Sequence, residues 1–188
     1  MSRVISLDDA VRSARRQFMA TGDVDMRRLT EELAVGRATL YRVVGSRDRL
    51  LGRIVNDLAE VTQRMSMAEV AQIHPPGIDR IVEGARRMNG YVVAFGPLRQ
   101  LMEQDPATAF RVLFTDTGGV HDASVAIWRR EMEEAAASGA LTLPREVGRL
   151  AYMFVRIGES MIFADLLNAR EPDLDLARDL HRALLTLP

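Results

Sequence analysis

Hydrophobic residues recur every three or four positions along almost the whole chain, which is the spacing of helices that bury one side. Leu29 and Leu33 are four apart, and Leu40 and Val44 repeat that spacing on the next segment. No stretch alternates apolar and polar residues as a strand does, and no internal repeat is present. The sequence therefore predicts an all-α protein.

The first 44 residues predict a head of three short helices. Ser6 can cap a helix that begins at Leu7, and Gly22 is suited to end it. Asp25 can cap a second helix that runs to about Leu33. A third helix follows from about Arg37 to Val44. The second and third helices are joined by a tight turn at residues 34–36.

A long helix is predicted to follow, because no proline and only one glycine interrupt residues 46–73. Its apolar positions form one continuous stripe: Leu50, Leu51, Ile54, Leu58, Val61 and Met65. The rest of the chain predicts further helices at about residues 78–95, 97–104, from 106, 120–138, 144–168 and 171–185, with a loop at 115–119. This pattern predicts a long helix joining the head to an antiparallel helical body, with domains at residues 1–48 and 49–188.

Two short helices joined by a tight turn, the second presenting Arg, Thr and Tyr, are typical of a helix-turn-helix that reads a DNA groove. Arginine can bind guanine through two hydrogen bonds, and tyrosine and arginine readily donate hydrogen bonds to phosphate oxygens. Tyr41 and Arg47 are the predicted phosphate contacts. The complete set of predicted DNA-binding residues is Arg37, Ala38, Thr39, Tyr41, Arg42 and Arg47. Arg27 and Arg28 either contact the DNA backbone or lie on a solvated helix face.

The same segment resembles the recognition helix of TetR-type transcriptional regulators. That family commonly has Gly-Val-Ser-x-Gly-Thr-Leu-Tyr-x-His-Phe-x-Ser-Lys-x-x-Leu where this chain has AVGRATLYRVVGSRDRL. The residues in register are Val35, Thr39, Leu40, Tyr41, Ser46 and Leu50. The family's turn glycine, N-cap serine, core aromatic residue and lysine are replaced by Ala34, Gly36, Val44 and Arg47. The resemblance covers about the first quarter of the chain and implies a regulator that binds double-stranded operator DNA.

Charge and composition agree with such an organisation. Residues 1–55 carry 11 arginines and 7 acidic residues, a balance of +4, whereas residues 56–188 carry 14 and 19, a balance of −5. A basic head on an acidic body suits a DNA-binding module attached to a regulatory domain. The absence of cysteine, of an apolar signal core and of a membrane-length apolar run leads us to expect a cytoplasmic protein without disulfides.

The predicted helix at 144–168 is apolar almost all round, so it is expected to be buried on several sides. With the last helix it predicts a four-helix contact between two subunits, the homodimer that the resemblance also implies. The predicted interface residues are Leu150, Ile157, Met161, Leu176, Leu180 and Leu184. Arg156 and Glu159, three apart, either pair with each other or serve a pocket.

The resemblance also implies a small-molecule effector, and flexible methionines would suit an apolar or acyl-chain compound. The candidate lining residues are Met88, Tyr91, Phe95, Met102, Phe110, Phe114, Trp128, Met132, Phe154 and Met161. Arg99, Arg111 or His121 could anchor a polar end of that effector. Each candidate has a plain structural alternative as part of the core.

An enzyme is not expected. The three histidines lie far apart without metal-ligand spacing, and there is no cysteine nucleophile, Gly-x-Ser-x-Gly elbow or phosphate-binding glycine loop. No cofactor or metal is therefore expected. The sequence predicts a dimeric repressor that an effector releases from DNA. The alternative is a helical small-molecule-binding or scaffold protein whose head has lost specific DNA recognition.

Overall fold

The computed structural model describes residues 5–186, and every regular element in that range is an α-helix. The prediction of an all-α fold is confirmed. The helices are α1 Leu7–Thr21, α2 Met26–Leu33, α3 Arg37–Val44, α4 Arg47–Val70, α5 Ile78–Ala94, α6 Gly96–Gln104, α7 Pro106–Phe114, α8 Val120–Ala137, α9 Val147–Ile162, α10 Ala164–Asn168 and α11 Leu174–Thr186. None of them is both long enough and apolar enough to cross a membrane.

The first helices begin where their capping residues place them. The Ser6 hydroxyl accepts the Asp9 backbone N–H at 3.1 Å, and the Asp9 carboxylate accepts the Ser6 N–H at 3.1 Å. This reciprocal pair satisfies two of the free donors at the start of α1. Asp25 does the same for α2 by accepting the backbone N–H groups of Arg27 and Arg28. The predicted caps are confirmed.

The turn between α2 and α3 is made without glycine. Ala34 adopts φ 52° and ψ 46°, a left-handed conformation, and its N–H returns to the last carbonyls of α2. Gly36, the N-cap of α3, supplies no side-chain hydrogen bond. The chain therefore forms the tight turn at a conformational cost to Ala34, because a Cβ is crowded in this region of backbone space.

The chain forms two compact units. The head unit comprises residues up to 57 together with 95–121, and the body unit comprises residues 58–94 together with the chain from 122 onward. Helix α4 contributes its first half to the head unit and its second half to the body unit. The grouping by packing differs from the division expected at residue 48. That division concerns function, and it stays a prediction.

Within the head unit, helix α6 packs against α1, and α7 packs against α6. The Phe18 and Phe95 rings lie 6.2 Å apart, and a Cβ on Gly22 would lie only 2.6 Å from the Pro97 carbonyl oxygen. A Cβ on Gly52 would collide with the Gly118 backbone, and a Cβ on Gly118 would collide with the Val112 backbone, so neither residue has room for a side chain. The fully buried leucines and isoleucine of this core are Leu29, Leu40, Leu50, Leu51, Ile54, Leu101 and Leu113.

The body unit is built around one apolar core, with α11 packed against both α5 and α9. Phe154 of α9 lies at its centre and is 1% exposed. The core includes Ile81, Val82, Met88, Trp128, Met132, Leu150, Val155 and Leu185. Helix α5 thus joins the two C-terminal helices in a single bundle.

The long helix predicted from the apolar stripe is confirmed as α4, but the stripe is not buried along the second half of that helix. Leu50, Leu51 and Ile54 are buried, but Val61 and Met65 are exposed. The buried positions there include Gln63 and Ser66, whose polar groups have partners inside the body unit: Gln63 Nε2 donates to Glu131 Oε1 at 2.5 Å, and Ser66 donates to the Thr62 carbonyl. Hydropathy alone does not identify a buried face that satisfies its polar groups by hydrogen bonds.

The predicted helix at 144–168 is wrong at its start and in its continuity. It begins at Val147, because the Glu146 carboxylate caps it by accepting the backbone N–H groups of Gly148 and Arg149 at 2.7 and 2.9 Å. It ends at Ile162, and after a break at Phe163 the short α10 follows. The last helix begins at Leu174, three residues later than predicted, after Asp173 accepts the Leu176 N–H.

Candidate nucleic-acid interface and body core

Helix α3 buries one side and exposes the other. Leu40 and Val44 lie in the head-unit core, whereas Arg37, Ala38 and Arg42 are exposed. Thr39 and Tyr41 are partly exposed. Five of the six predicted DNA-binding residues therefore lie on α3 with at least part of each side chain open to solvent.

The arginines of α3 carry no neutralising partner. The Arg37 guanidinium lies over the Tyr41 ring, 5.4 Å from its centroid, and neither Arg37 nor Arg42 pairs with a carboxylate anywhere in residues 5–186. On α2, by contrast, Arg27 pairs with Glu31 at 3.3 Å and Arg28 with Glu32 at 2.9 Å. A cation stacked on an aromatic ring keeps its outward N–H donors free. The α3 surface thus presents positive charge with unused hydrogen-bond donors.

Arg47 is occupied within the protein. Its Nε donates to Asp23 Oδ1 at 3.0 Å and its Nη1 to Thr108 Oγ1 at 3.3 Å, while Nη2 also pairs with Asp23. A further salt bridge of 3.4 Å joins Nη1 to Asp105. Its phosphate role stays a prediction, but the geometry supports a structural one, because the guanidinium ties the α1–α2 loop and the start of α7 to α4.

Other polar contacts hold the helix-turn-helix in place. Glu32 of α2 accepts the Ser13 hydroxyl at 2.6 Å and the Gln17 amide at 3.2 Å, both from α1. The Ser13 hydrogen bond lowers the pKa of Glu32, with further contributions from Arg28 and Gln17. Arg111 of α7 donates to Asp48 at 2.7 Å, so this candidate effector anchor is engaged with α4. These contacts hold α2 against α1 and α4 against α7, the helices that precede and follow α3 in the chain.

The candidate effector residues are divided between the two units. Phe95, Met102, Phe110 and Phe114 belong to the head unit, and the other six belong to the body unit. Phe110 is 47% exposed and lies 5.4 Å from Phe114. In the body unit the four candidates that share the apolar core are Met88, Trp128, Met132 and Phe154. Of the remaining two, Tyr91 is exposed and donates to Glu69 at 2.9 Å, and Met161 is partly exposed.

A group of buried polar side chains adjoins that core. The His181 ring stacks on Phe154 at 3.7 Å, and its Nε2 lies 2.8 Å from the Phe154 carbonyl oxygen. Burial lowers the pKa of His181 to about 4, so the ring is neutral and Nε2 donates to that carbonyl. Within residues 5–186, His181 Nδ1 and Asn89 Nδ2 have no hydrogen-bond partner, although both residues are more than 90% buried. A Cβ on Gly158 would lie 3.6 Å from His181 and 3.8 Å from Asn89, so both residues flank this glycine.

Sequence reasoning missed that polar group. His181 is one of three scattered histidines, and Asn89 lies ninety-two positions before it. Only the packing of α5 against α9 and α11 brings the two side chains together, and no local pattern marks that packing.

Helices α9 and α11 expose several apolar side chains to solvent. Tyr152 and Met153 of α9 and Leu176 and Leu180 of α11 are exposed. Of the other predicted interface residues, Ile157, Met161 and Leu184 are partly exposed, but Leu150 is 3% exposed and packs inside its own chain. Tyr152 and Met153 are absent from the predicted set, because the helical period alone does not show which side of an all-round apolar helix its own chain covers. The predicted Arg156–Glu159 pair is confirmed at 3.0 Å.

No group of three or more histidine, aspartate or glutamate side chains within residues 5–186 is placed to hold a metal ion.

Residues 76–186 match the family described as the tetracyclin repressor-like C-terminal domain. The match covers more than half of the chain. The protein is a member of the TetR family of transcriptional regulators.

Two solved structures are similar to this TetR-family protein. The transcriptional repressor QsdR of R. erythropolis, from the TetR family, is 29% identical with a TM-score of 0.87, over 95% of this chain and 93% of that one. The TetR-family transcriptional regulator PfmR from Thermus thermophilus is 16% identical with a TM-score of 0.43, over 94% and 96% of the two chains. No curated protein matches the chain. The likeness to QsdR extends over almost the whole length of both chains.

Proposed function

We propose that this TetR-family regulator is a cytoplasmic, dimeric repressor that binds double-stranded operator DNA and leaves it when a small-molecule effector binds. The observation that carries the proposal is the exposed face of α3. Arg37 and Arg42 project from the second helix of a helix-turn-helix, and no carboxylate in residues 5–186 neutralises them. Such donors can bind base edges in the major groove and adjacent phosphates.

The similarity to QsdR supports the repressor role. That protein is a transcriptional repressor, and the likeness extends over 95% of this chain, so it includes the head as well as the C-terminal helices. An activator would use the same head, and the sign of regulation therefore rests on this similarity.

The exposed apolar residues of α9 and α11 support a homodimer. Tyr152 and Met153 are close together on α9, and Leu176 and Leu180 lie one turn apart on α11. Two-fold association would bury these stripes in a four-helix contact. Two heads would then read half-sites on a near-palindromic operator, separated by roughly 34–36 Å or a multiple of that spacing.

Effector release needs a body unit with two conformations. Helix α4 belongs to both units, so a body conformation that displaces its second half also displaces its first half. The core around Phe154 and Trp128 is apolar, and Asn89 and His181 adjoin it. These features suit an apolar effector that carries one neutral polar group. Such an effector weakens DNA binding only by as much as it favours the second conformation.

The proposal is tested by titrating the purified protein against DNA that flanks its own gene, with unrelated DNA as competitor. We expect competitor-resistant binding by a dimer at near-physiological salt. The double variant Arg37→Ala, Arg42→Ala should lose this specific binding while remaining a dimer by analytical ultracentrifugation. The matched control is Arg129→Ala, Arg130→Ala, which removes the same charge from exposed positions of α8. It should bind as the wild-type protein does.

Equal affinity for both DNAs, lost with modest salt, would contradict the proposal, because nonspecific charge contacts alone behave in that way. It would favour the alternative of a helical small-molecule-binding protein without operator recognition.

A further inference from the structure

We propose that Arg49 binds a backbone phosphate of the operator and is the α4 arginine that extends the DNA-binding surface of α3. The inference rests on the proposed function. It assigns to Arg49 the role that the sequence predicts for Arg47, two residues earlier.

Arg49 continues a ridge that runs along α3. Arg37, Tyr41 and Gly45 are spaced four residues apart, so they follow one side of the helix. The Arg37 guanidinium lies over the Tyr41 ring at 5.4 Å. A Cβ on Gly45 would lie 3.1 Å from Arg49 Cδ and 3.5 Å from its Nη1, so the Arg49 side chain lies directly against Gly45. The ridge of Arg37, Tyr41 and Gly45 therefore ends in a second guanidinium.

Gly45 makes this placement possible. It ends α3 with φ 78°, a conformation that side-chain-bearing residues rarely adopt. Any side chain at this position would also crowd Arg49. The glycine thus both turns the chain into α4 and leaves the space along which Arg49 extends.

Arg49 differs in its ion pairing from the other two arginines in the first two turns of α4. Arg47 is held by Asp23, Asp105 and Thr108, and Arg53 pairs with Asp57 at 2.9 Å. Arg49 is exposed, and its guanidinium has no hydrogen-bond or carboxylate partner in the described part of the chain. Forming a phosphate contact therefore costs Arg49 no internal ion pair, whereas Arg47 would have to give up several contacts.

A contact to the phosphate backbone fixes the register of the protein on DNA without reading sequence. Its loss should therefore weaken binding to operator and unrelated DNA alike. It should also reduce by about one the number of counterions released on binding.

The test measures binding of wild-type protein, Arg49→Ala, Arg49→Lys and Arg53→Ala to promoter and unrelated DNA over a series of salt concentrations. For Arg49→Ala we expect affinity about tenfold lower on both DNAs, which is the loss of one charge-assisted hydrogen bond. The slope of log K against log salt should fall by about 0.9. Arg49→Lys should restore most of the salt slope, because it keeps the charge. Arg53→Ala is the matched control, and it should bind as wild type.

Affinity and salt slope unchanged in Arg49→Ala would overturn the inference while leaving the proposed function intact, provided the Arg37, Arg42 double variant loses specific binding. A loss confined to promoter DNA would also overturn it, because it would make Arg49 a base contact. A wild-type protein without preference for promoter DNA would instead overturn the proposed function. Thermal unfolding of Arg49→Ala should match wild type, which separates a DNA contact from a structural role.

Discussion

The contacts that stabilise the head unit internally differ from those that stabilise the body unit. In the head unit, charged contacts join segments far apart in the chain: Arg47 binds Asp23 and Asp105, and Arg111 binds Asp48. In the body unit, the helices meet through an apolar core centred on Phe154, and ion pairs such as Arg86–Asp175 and Arg182–Asp79 join helices at its solvent-exposed surface. Both units have buried apolar residues, but in the head unit the ion pairs of Arg47 and Arg111 connect α4, which follows the candidate DNA-binding helix α3, to other segments.

One residue type thus serves two purposes. Arginines that build the head face carboxylates within the protein, whereas Arg37 on the α3 ridge and Arg49 at its end face solvent without such a partner in the described residues. Directional contacts fix the orientation of a small domain whose surface must match a rigid partner. A nonpolar core is less directional, which suits the conformational change that we propose for the body unit.

The largest effect is expected in the body unit at acid pH. His181 is neutral in the folded protein because burial lowers its pKa to about 4 from an ordinary 6.5. Between those values the unfolded chain binds a proton that the native chain does not. The free energy of unfolding should therefore be unaffected by His181 above pH 6.5 and fall by roughly 3 kcal/mol as the pH drops to about 4.

Chemical denaturation of wild-type protein and His181→Phe from about pH 7 to pH 4, at one fixed protein concentration, measures this contribution. The variant keeps a ring against Phe154 but cannot titrate, so its stability should fall less over this range. Burial raises the pKa of Glu131, which affects stability in the opposite direction, but that residue is common to both proteins and cancels in the difference. Parallel stability curves would contradict a buried, neutral His181.

A smaller effect is expected from Arg47→Ala in the head unit. The substitution removes the guanidinium that Asp23 and Asp105 share, and the side chain is 26% exposed, so solvent screens part of the loss. We expect the free energy of unfolding to fall by about 1–2 kcal/mol. Urea denaturation measures it, and high salt should reduce the difference from wild type.

Arg49→Ala is the matched control for Arg47→Ala, since the same side chain is removed two residues away from an exposed position. Its stability should remain within about 0.5 kcal/mol of wild type. If Arg47→Ala instead weakened DNA binding without changing stability, the phosphate contact predicted from the sequence would hold and the structural role would be refuted.

Local features of the fold could be predicted from the sequence because their causes are local. Ser6 and Asp25 cap the helices that follow them, and the α2–α3 turn lies where the spacing of leucines changes. The exposed face of α3 also follows from Leu40 and Val44, four residues apart. A hydrogen bond between near neighbours leaves its signature in a short segment.

Long-range features could not be predicted, because nothing local encodes them. Arg47 and Asp105 are fifty-eight positions apart, and no pattern in the intervening chain marks them as a pair. The same holds for Asn89 and His181, and for the packing of α6 against α1 in the head unit. Phe163 breaks a helix although its apolar side chain fits a helical period. In these cases tertiary contacts decide the structure, and the hydrophobic pattern is equally compatible with other arrangements.

The smallest predicted effect concerns backbone strain in the head unit. Ala34 has φ 52°, and a left-handed conformation costs an alanine roughly 1–2 kcal/mol. Ala34→Gly relieves that cost but increases the backbone entropy of the unfolded chain by roughly 0.5–1 kcal/mol, so a net gain of about 0.5–1 kcal/mol is expected. Ala20→Gly, at an exposed helical position of α1, should destabilise by a similar amount. If the turn is strained, urea denaturation should show a higher free energy of unfolding for Ala34→Gly and a lower one for Ala20→Gly than for wild type. A lower free energy of unfolding in both variants would mean that Ala34 carries no strain, so that the turn costs the head unit no stability.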